Sequence, residues 1–353
     1  MQSQTTSLRN RLLEGHVIPA CPLALNPDRS WSEKHQRALI RYYLAAGAGG
    51  VAVGVHSTQF AIRRPEIGLF RPVLELVASE FNTASNRDSI IRIAGICGRT
   101  RQACEEASLA SQLGYETGLL SLAAFQTDAD DVILEHCRSV SEIIPLTGFY
   151  LQPSVGGRIL SYAFWRAFTD IPNVVAIKVA PFNRYQTIDV IRAVMDSGRK
   201  DIAIYTGNDD NIIVDLLTPF SLSSANRHKS ASVFIAGGLL GQWGVWTQKA
   251  VQMLSDIKHA RTLPELNSHW LRTNAALTEA NAAIFDSANH FAGCIPGILA
   301  VLHQQRLVPS VNCLDPQESL SPGQAQEIDR IIRCYPELTD IEFVEQHRDQ
   351  WLR

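Results

Sequence analysis

The sequence predicts a (β/α)8 barrel over residues 16–262, preceded by a short leader at 1–15 and followed by a C-terminal all-α region at 263–353. Three observations carry that expectation. Short apolar runs alternate with stretches of helical period eight times over, the mark of repeated strand–helix units and a parallel sheet. The runs are nearly all apolar, as strands covered on both faces are. No G-x-G-x-x-G turn follows an early strand, so the open dinucleotide-binding sheet lacks its signature.

Taken in order, the first strand is His16–Cys21, and Asn26-Pro27-Asp28 then turns the chain. Ser30 and Glu33 form a candidate capping box for a helix over Trp31–Ala46, which Gly47 stops. The second strand, Gly50–Val55, runs into the polar loop His56-Ser57-Thr58-Gln59. A helix over Pro65–Glu80, a strand at Ile90–Gly95, a helix over Arg101–Leu113 and a strand at Gly118–Leu122 follow. A helix over Ala129–Ile144 leads to a fifth strand at Gly148–Leu151, and a short helix at Tyr162–Phe168 to a sixth at Asn173–Val179. The period of Thr187–Met195 is helical. Ile202–Tyr205 and Val233–Ala236 are the expected seventh and eighth strands, with a helix over Asn211–Leu217 between them and one over Val245–Ile257 after. Gly237–Gly241 reads as a tight turn beyond the last strand, and Ser221–Ser230 as a surface insertion.

Thirty-two basic against thirty-five acidic residues give a net charge of −3, which leaves no electrostatic footprint for nucleic acid. Seven scattered cysteines without a C-x-x-C pair suggest reduced thiols and neither zinc nor a dithiol. With no signal-peptide pattern in the polar amino terminus and no run long enough to span a bilayer, the chain is expected to be cytoplasmic and free of membrane contact. Neither a metal nor an organic cofactor is expected.

The chemistry centres on Lys178. An ammonium group has no natural place in Val174-Val175-Ala176-Ile177, so Lys178 is expected at the strand exit, on the face where barrels carry their active sites. It either reaches water past the strand end or works as a neutral amine that attacks a ketone. Tyr150, at the end of the preceding strand, is either a rim aromatic or a proton shuttle for that amine, provided both side chains point inward. The carboxyl ends of the strands also collect Gly54, Val55, His56 and Ser57, Asn183 and Arg184, Gly207 and Asn208, and Gly238. Arg184 offers a planar clamp for a carboxylate, and Asn183 to Tyr185 otherwise read as the capping turn of the next helix. His56 either shuttles a proton or bonds backbone at the rim.

With Tyr150-Leu151-Gln152-Pro153 as Y-x-x-P, Ile177-Lys178 ending a strand 28 residues after the tyrosine, and Gly207-Asn208-Asp209 after the seventh strand, the chain resembles the pyruvate-dependent class I aldolase superfamily that includes dihydrodipicolinate synthase and N-acetylneuraminate lyase. The resemblance covers nearly the whole chain. It implies a Schiff base at Lys178, proton relay through Tyr150, a 2-oxo acid substrate held by backbone N–H groups at Val55, His56 and Ser57, and a homo-oligomer, dimer or tetramer. Three positions depart from dihydrodipicolinate synthase. The relay threonine corresponds to Val55, the interface tyrosine to Phe125, and the acid-binding arginine after Y-x-x-P to Val155. The expected activity is therefore a lyase or aldolase on a 2-oxo acid or sugar-acid derivative other than authentic dihydrodipicolinate synthesis. The rival expectation is a ligand-binding or regulatory barrel that has lost turnover.

Overall fold

The computed structural model describes residues 2–222 and 232–353, so most of the expected insertion at Ser221–Ser230 lies outside the described residues. The chain runs α1 (Gln2–Glu14), β1 (Val17–Pro19), α2 (Glu33–Ala45), β2 (Gly50–Val53), α3 (Phe70–Thr83), β3 (Ile91–Ile96), α4 (Thr100–Gln112), β4 (Thr117–Leu120) and α5 (Asp130–Ser141). It continues through β5 (Leu146–Leu151), α6 (Tyr162–Phe168), β6 (Val174–Ala180), α7 (Arg184–Ser197), β7 (Ala203–Thr206), α8 (Ile212–Leu217), β8 (Gly237–Leu240) and α9 (Thr247–Ala260). Helices α10 (His269–Ile284), α11 (Cys294–Gln304), α12 (Gln324–Cys334) and α13 (Ile341–Trp351) follow. The strand order is β1-β8-β7-β6-β5-β4-β3-β2, and its two end strands meet at a parallel bridge between Ala20 and Ala52. This is the order of a (β/α)8 barrel, with the expected all-α region after it.

By compactness the chain divides into two units. One comprises Met1–His16, Ile91–Asn208 and Ile212–Gly238, and the other Val17–Ile90, Asp209–Asn211 and Leu239–Arg353. In the first, β3 to β7 pair in parallel and are almost wholly buried. The segment expected as a leader is a helix there. Leu8 and Leu12, four residues apart and both buried, turn one apolar stripe of α1 toward β3, β6 and β7, and Tyr205 donates to the Leu12 carbonyl at 2.8 Å. The eighth strand also differs from expectation. It is the glycine run Gly237–Leu240, while Val233 pairs antiparallel with Phe220. A Cβ on Gly237 would lie 2.4 Å from the His16 carbonyl oxygen and 3.0 Å from the Tyr205 ring, so only glycine fits this strand beside β7.

In the second unit the expected capping box is not made. The Ser30 hydroxyl donates to Asp28 at 2.6 Å inside the Asn26–Ser30 turn, and α2 begins after Ser32. The expected helix over Pro65–Glu80 starts later, at Phe70, after two 3-10 turns at His56–Thr58 and Phe60–Arg63. The C-terminal helices are tied to the start of the chain through Asp340. This buried carboxylate accepts from Tyr42 Oη at 2.7 Å, Gln305 Nε2 at 2.8 Å and the Gln248 N–H at 3.2 Å, and Tyr42 Oη in turn accepts from the Thr247 N–H at 2.7 Å. Trp351 of α13 packs its ring 5.5 Å from that of Tyr42. Among the described residues no helix is long and apolar enough to cross a membrane, and no three His, Cys, Asp or Glu side chains group as metal ligands do.

Candidate active site

Every residue of β6 is buried, and Lys178 lies within the strand, two residues before its end, with only 8% of its surface exposed. Its register partners are Phe149 on β5 and Tyr205 on β7. Partners in a parallel pair point to the same face, and Lys178 Nζ sits 4.5 Å from the centroid of the Phe149 ring. Gly207 closes the other side. A Cβ there would stand 2.6 Å from Lys178 Cε and 2.8 Å from the Ala180 Cβ, so the lysine stem occupies the space that any larger residue would need.

Tyr150 is held differently from the expectation that it meets Lys178. A spacing of 28 would make Tyr150 the partner of Lys178, and the first pair of the ladder, Leu146 with Val174, keeps that offset. The ladder then shifts by one residue between Leu146 and Thr147, and from there on Phe149 faces Lys178 while Tyr150 faces Val179. Alternation therefore turns Tyr150 to the helix side of the sheet. Its ring lies 5.2 Å from that of Trp165 on α6, and its hydroxyl donates to the Leu160 carbonyl at 3.1 Å and accepts from the Leu160 N–H at 3.2 Å. Burial raises the phenol's pKa above its ordinary value, opposed by the Leu160 hydrogen bond.

After β6 and β7 the chain forms one polar knot. Asp215 of α8 is fully buried and accepts from Thr206 Oγ1 at 2.7 Å, from Asn208 Nδ2 at 3.0 Å and from Arg184. Asn208 is also fully buried, and its Oδ1 receives the Phe182 N–H at 3.0 Å. Phe182 has a φ of 49°, a left-handed conformation rare for a bulky residue, and Asn208 fixes it. Asn183 is the N-cap of α7, accepting from the N–H groups of Tyr185 at 2.9 Å and Gln186 at 3.2 Å. The capping alternative is thus the one formed at Asn183. Asn208 and Arg184 serve to shape the loop after Lys178, and Arg184 directs a nitrogen to Asp215.

Gly238 lies in β8 opposite Thr206, not in a turn, and donates to the His16 carbonyl at 3.2 Å. Phe125 is buried within its own chain, its ring 4.4 Å from that of His136 and 4.5 Å from the Arg99 guanidinium. Burial, aided by the Arg99 charge, lowers the His136 pKa to about 4. His136 Nδ1 pairs with Thr100 Oγ1 at 3.0 Å, whereas Nε2 has no hydrogen-bond partner among the described residues.

The β2 loop belongs to the other unit. Gly54 has a φ of 73°, and the Thr58 hydroxyl accepts from both the Gly54 N–H at 2.9 Å and the Val55 N–H at 3.2 Å while donating to the Cys21 carbonyl at 2.7 Å. Ser57 Oγ donates to the Ala20 carbonyl at 2.8 Å, and the His56 ring lies 5.9 Å from that of Phe60. The Val55 N–H, expected to hold a carboxylate, is therefore occupied by Thr58. Phe149 and Asp215 escaped the sequence reading, and Thr58 was read only as a member of the polar loop His56–Gln59. Phe149 and Thr58 stood beside residues that were singled out, and parity along the strand was the signal for Phe149.

No protein-family model matches the chain. The 4-hydroxy-tetrahydrodipicolinate synthases of Desulforamulus reducens and Acaryochloris marina are each 24% identical to it, over 58% and 59% of the chain. The match spans 66% of the length of either relative, just under two thirds. Among solved structures, YagE, a prophage protein of the dihydrodipicolinic acid synthase family from E. coli K12 in complex with pyruvate, superposes with a TM-score of 0.73 at 14% identity, covering 90% of this chain and 97% of that one. N-acetylneuraminate lyase from Fusobacterium nucleatum complexed with pyruvate gives 0.70 at 16%, covering 92% and 98%. Sequence relatives and fold point the same way: over part of its length the chain is similar to 4-hydroxy-tetrahydrodipicolinate synthases, and it shares the barrel fold of the dihydrodipicolinate synthase and N-acetylneuraminate lyase structures.

Proposed function

We propose that the protein is a lyase or aldolase in which Lys178 forms a Schiff base with the ketone of a small 2-oxo acid. The observation that carries this reading is a lysine side chain enclosed within a fully buried strand, its stem against Gly207 and its nitrogen over Phe149. Pyruvate in the structures of YagE and the Fusobacterium lyase supports the substrate class. The amine nitrogen adds to the ketone carbon and the carbinolamine loses water; the resulting iminium accepts the electron pair released when a bond to the adjacent carbon breaks and becomes an enamine, and in the forming direction that carbon first loses a proton to give the same enamine, which lends its pair to the new bond and returns to the iminium. The Phe149 ring beside the amine shields it from competing water.

Tyr150 enters this reading as the anchor of the loop through Leu160, because its hydroxyl is engaged there and its strand position faces Val179. Phe125 and Val155, where dihydrodipicolinate synthase has a tyrosine and an arginine, argue against that synthase's second substrate. Mixing the protein with pyruvate and aspartate semialdehyde is expected to give no turnover in the usual enzymatic range of about 1 to 1000 per second. A cytoplasmic homo-oligomer belongs to the same proposal, supported by the family, and sedimentation of the purified chain checks the assembly.

The decisive experiment is reductive trapping. Incubation with pyruvate and borohydride is expected to convert the iminium to a stable secondary amine, with the mass gain mapping to Lys178 and vanishing in Lys178→Ala. Absence of an adduct with pyruvate and with a panel of longer 2-oxo acids, at a pH where amines are deprotonated, would overturn the proposal in favour of a binding protein.

A further inference from the structure

The helical region holds a cavity of about 380 Å3 that none of the Schiff-base chemistry uses. It lies within the unit that contains Leu239–Arg353 and is bounded by α11, α12, α13 and the residue before α9. Two of its lining side chains are more than nine-tenths buried and each carries a polar atom without a partner. Among the described residues, Trp246, 1% exposed, has an unpaired indole N–H, and Gln305, 6% exposed, an unpaired Oε1. The amide orientation of Gln305 is not arbitrary, since its Nε2 donates to the Asp340 carboxylate. Two of the side chains that line the cavity thus carry, among the described residues, one orphaned donor and one orphaned acceptor, a state that folded proteins seldom leave uncompensated.

The charged residues of the lining sharpen the picture. Among the described residues Arg306 and Glu345 make no ion pair, and the ion pair of Arg348 is with the exposed Asp349, at 3.4 Å. Val301, Ile332, Ile341 and Val344 supply an aliphatic wall. A ligand that answers all of these at once carries a carboxylate for the guanidiniums and the indole N–H, an ammonium for Glu345 and the Gln305 oxygen, and a short apolar body. The volume stands at the small end of ligand sites. We infer that this cavity is a binding site for a zwitterionic amino acid with a branched aliphatic side chain, separate from the residues around Lys178 and independent of what Lys178 does.

Isothermal titration of the full chain with L-leucine tests it. Saturable binding of one leucine per chain is expected. L-lysine, whose second ammonium would meet the aliphatic wall, and 2-hydroxy-4-methylpentanoate, which lacks the ammonium, are each expected to bind at least tenfold more weakly. Glu345→Gln and Arg306→Gln, both at exposed positions, are expected to weaken leucine at least tenfold with an unchanged circular-dichroism spectrum. Trp246→Phe keeps most of the ring and removes the N–H, and should weaken it severalfold. No saturable binding of leucine, isoleucine or valine, as for a cavity filled by water alone, would overturn the inference. So would equal affinity for the hydroxy acid, or a Glu345→Gln protein that binds as the parent does.

Discussion

At the scale of single residues the site depends on volumes already filled. Gly207→Ala inserts a Cβ where Lys178 Cε lies, and forcing the lysine aside is expected to slow borohydride-trapped adduct formation at least tenfold, at a stability cost of about 1 to 3 kcal/mol. Mass spectrometry of the adduct against time, with a melting curve of the same sample, separates the two effects. Tyr150→Phe removes both hydrogen bonds to Leu160 and is expected to lower unfolding stability by about 1 to 2 kcal/mol while the Lys178 adduct still forms. His136 gives a pH signature. Neutral in the fold with a pKa of about 4 against an ordinary 6.5, it takes up a proton more readily when unfolded. Its contribution is therefore complete above about pH 6.5 and is lost as pH falls through 4, an effect of up to about 3 kcal/mol. Urea titrations at pH 7, 5.5 and 4 are expected to show that decline, and His136→Gln to flatten it.

At the scale of elements, the loop from β6 to α7 is shaped from the far side by β7 and α8. Asp215→Asn leaves Arg184 without its buried carboxylate partner and disturbs the Thr206 and Asn208 contacts, so a loss of about 3 kcal/mol is expected in chemical denaturation. The same geometry explains which elements could be read from sequence. Strands β2 to β7 announce themselves as apolar runs, and the Asn183 cap follows from a short polar side chain before a helical period. Strand β8 does not, because Gly237 and Gly238 have no side chains to give a hydrophobic signal, and Gly237 is selected by the nearness of His16 and Tyr205. Ser30 was misread for a related reason. Its hydroxyl had a nearer partner in Asp28 than any helix N–H.

At the scale of the whole molecule, the sequence showed the barrel order and the helical region after it, since both rest on periodicity. It could not show that the last helices share a compact unit with β1 and β2, because Asp340 and Tyr42 are nearly three hundred residues apart. Deleting 340–353 removes the carboxylate that gathers Tyr42, Gln305 and Gln248 and strips α13 from α2. The truncated chain is expected to melt well below the full one and to expose apolar surface, which binding of a hydrophobic dye and a melting curve together check.

The one-residue shift between β5 and β6 makes the neighbour of Lys178 a matter of odd and even. Every residue after Leu146 on β5 inherits its orientation from that single miscount, so the choice between a phenyl ring and a phenol beside the lysine is set upstream of both, between Leu146 and Thr147. A motif can therefore keep its letters and its spacing while the group it delivers to the amine is exchanged. The ring beside Lys178 can thus change by the gain or loss of one backbone kink, with no substitution at Phe149 or Tyr150.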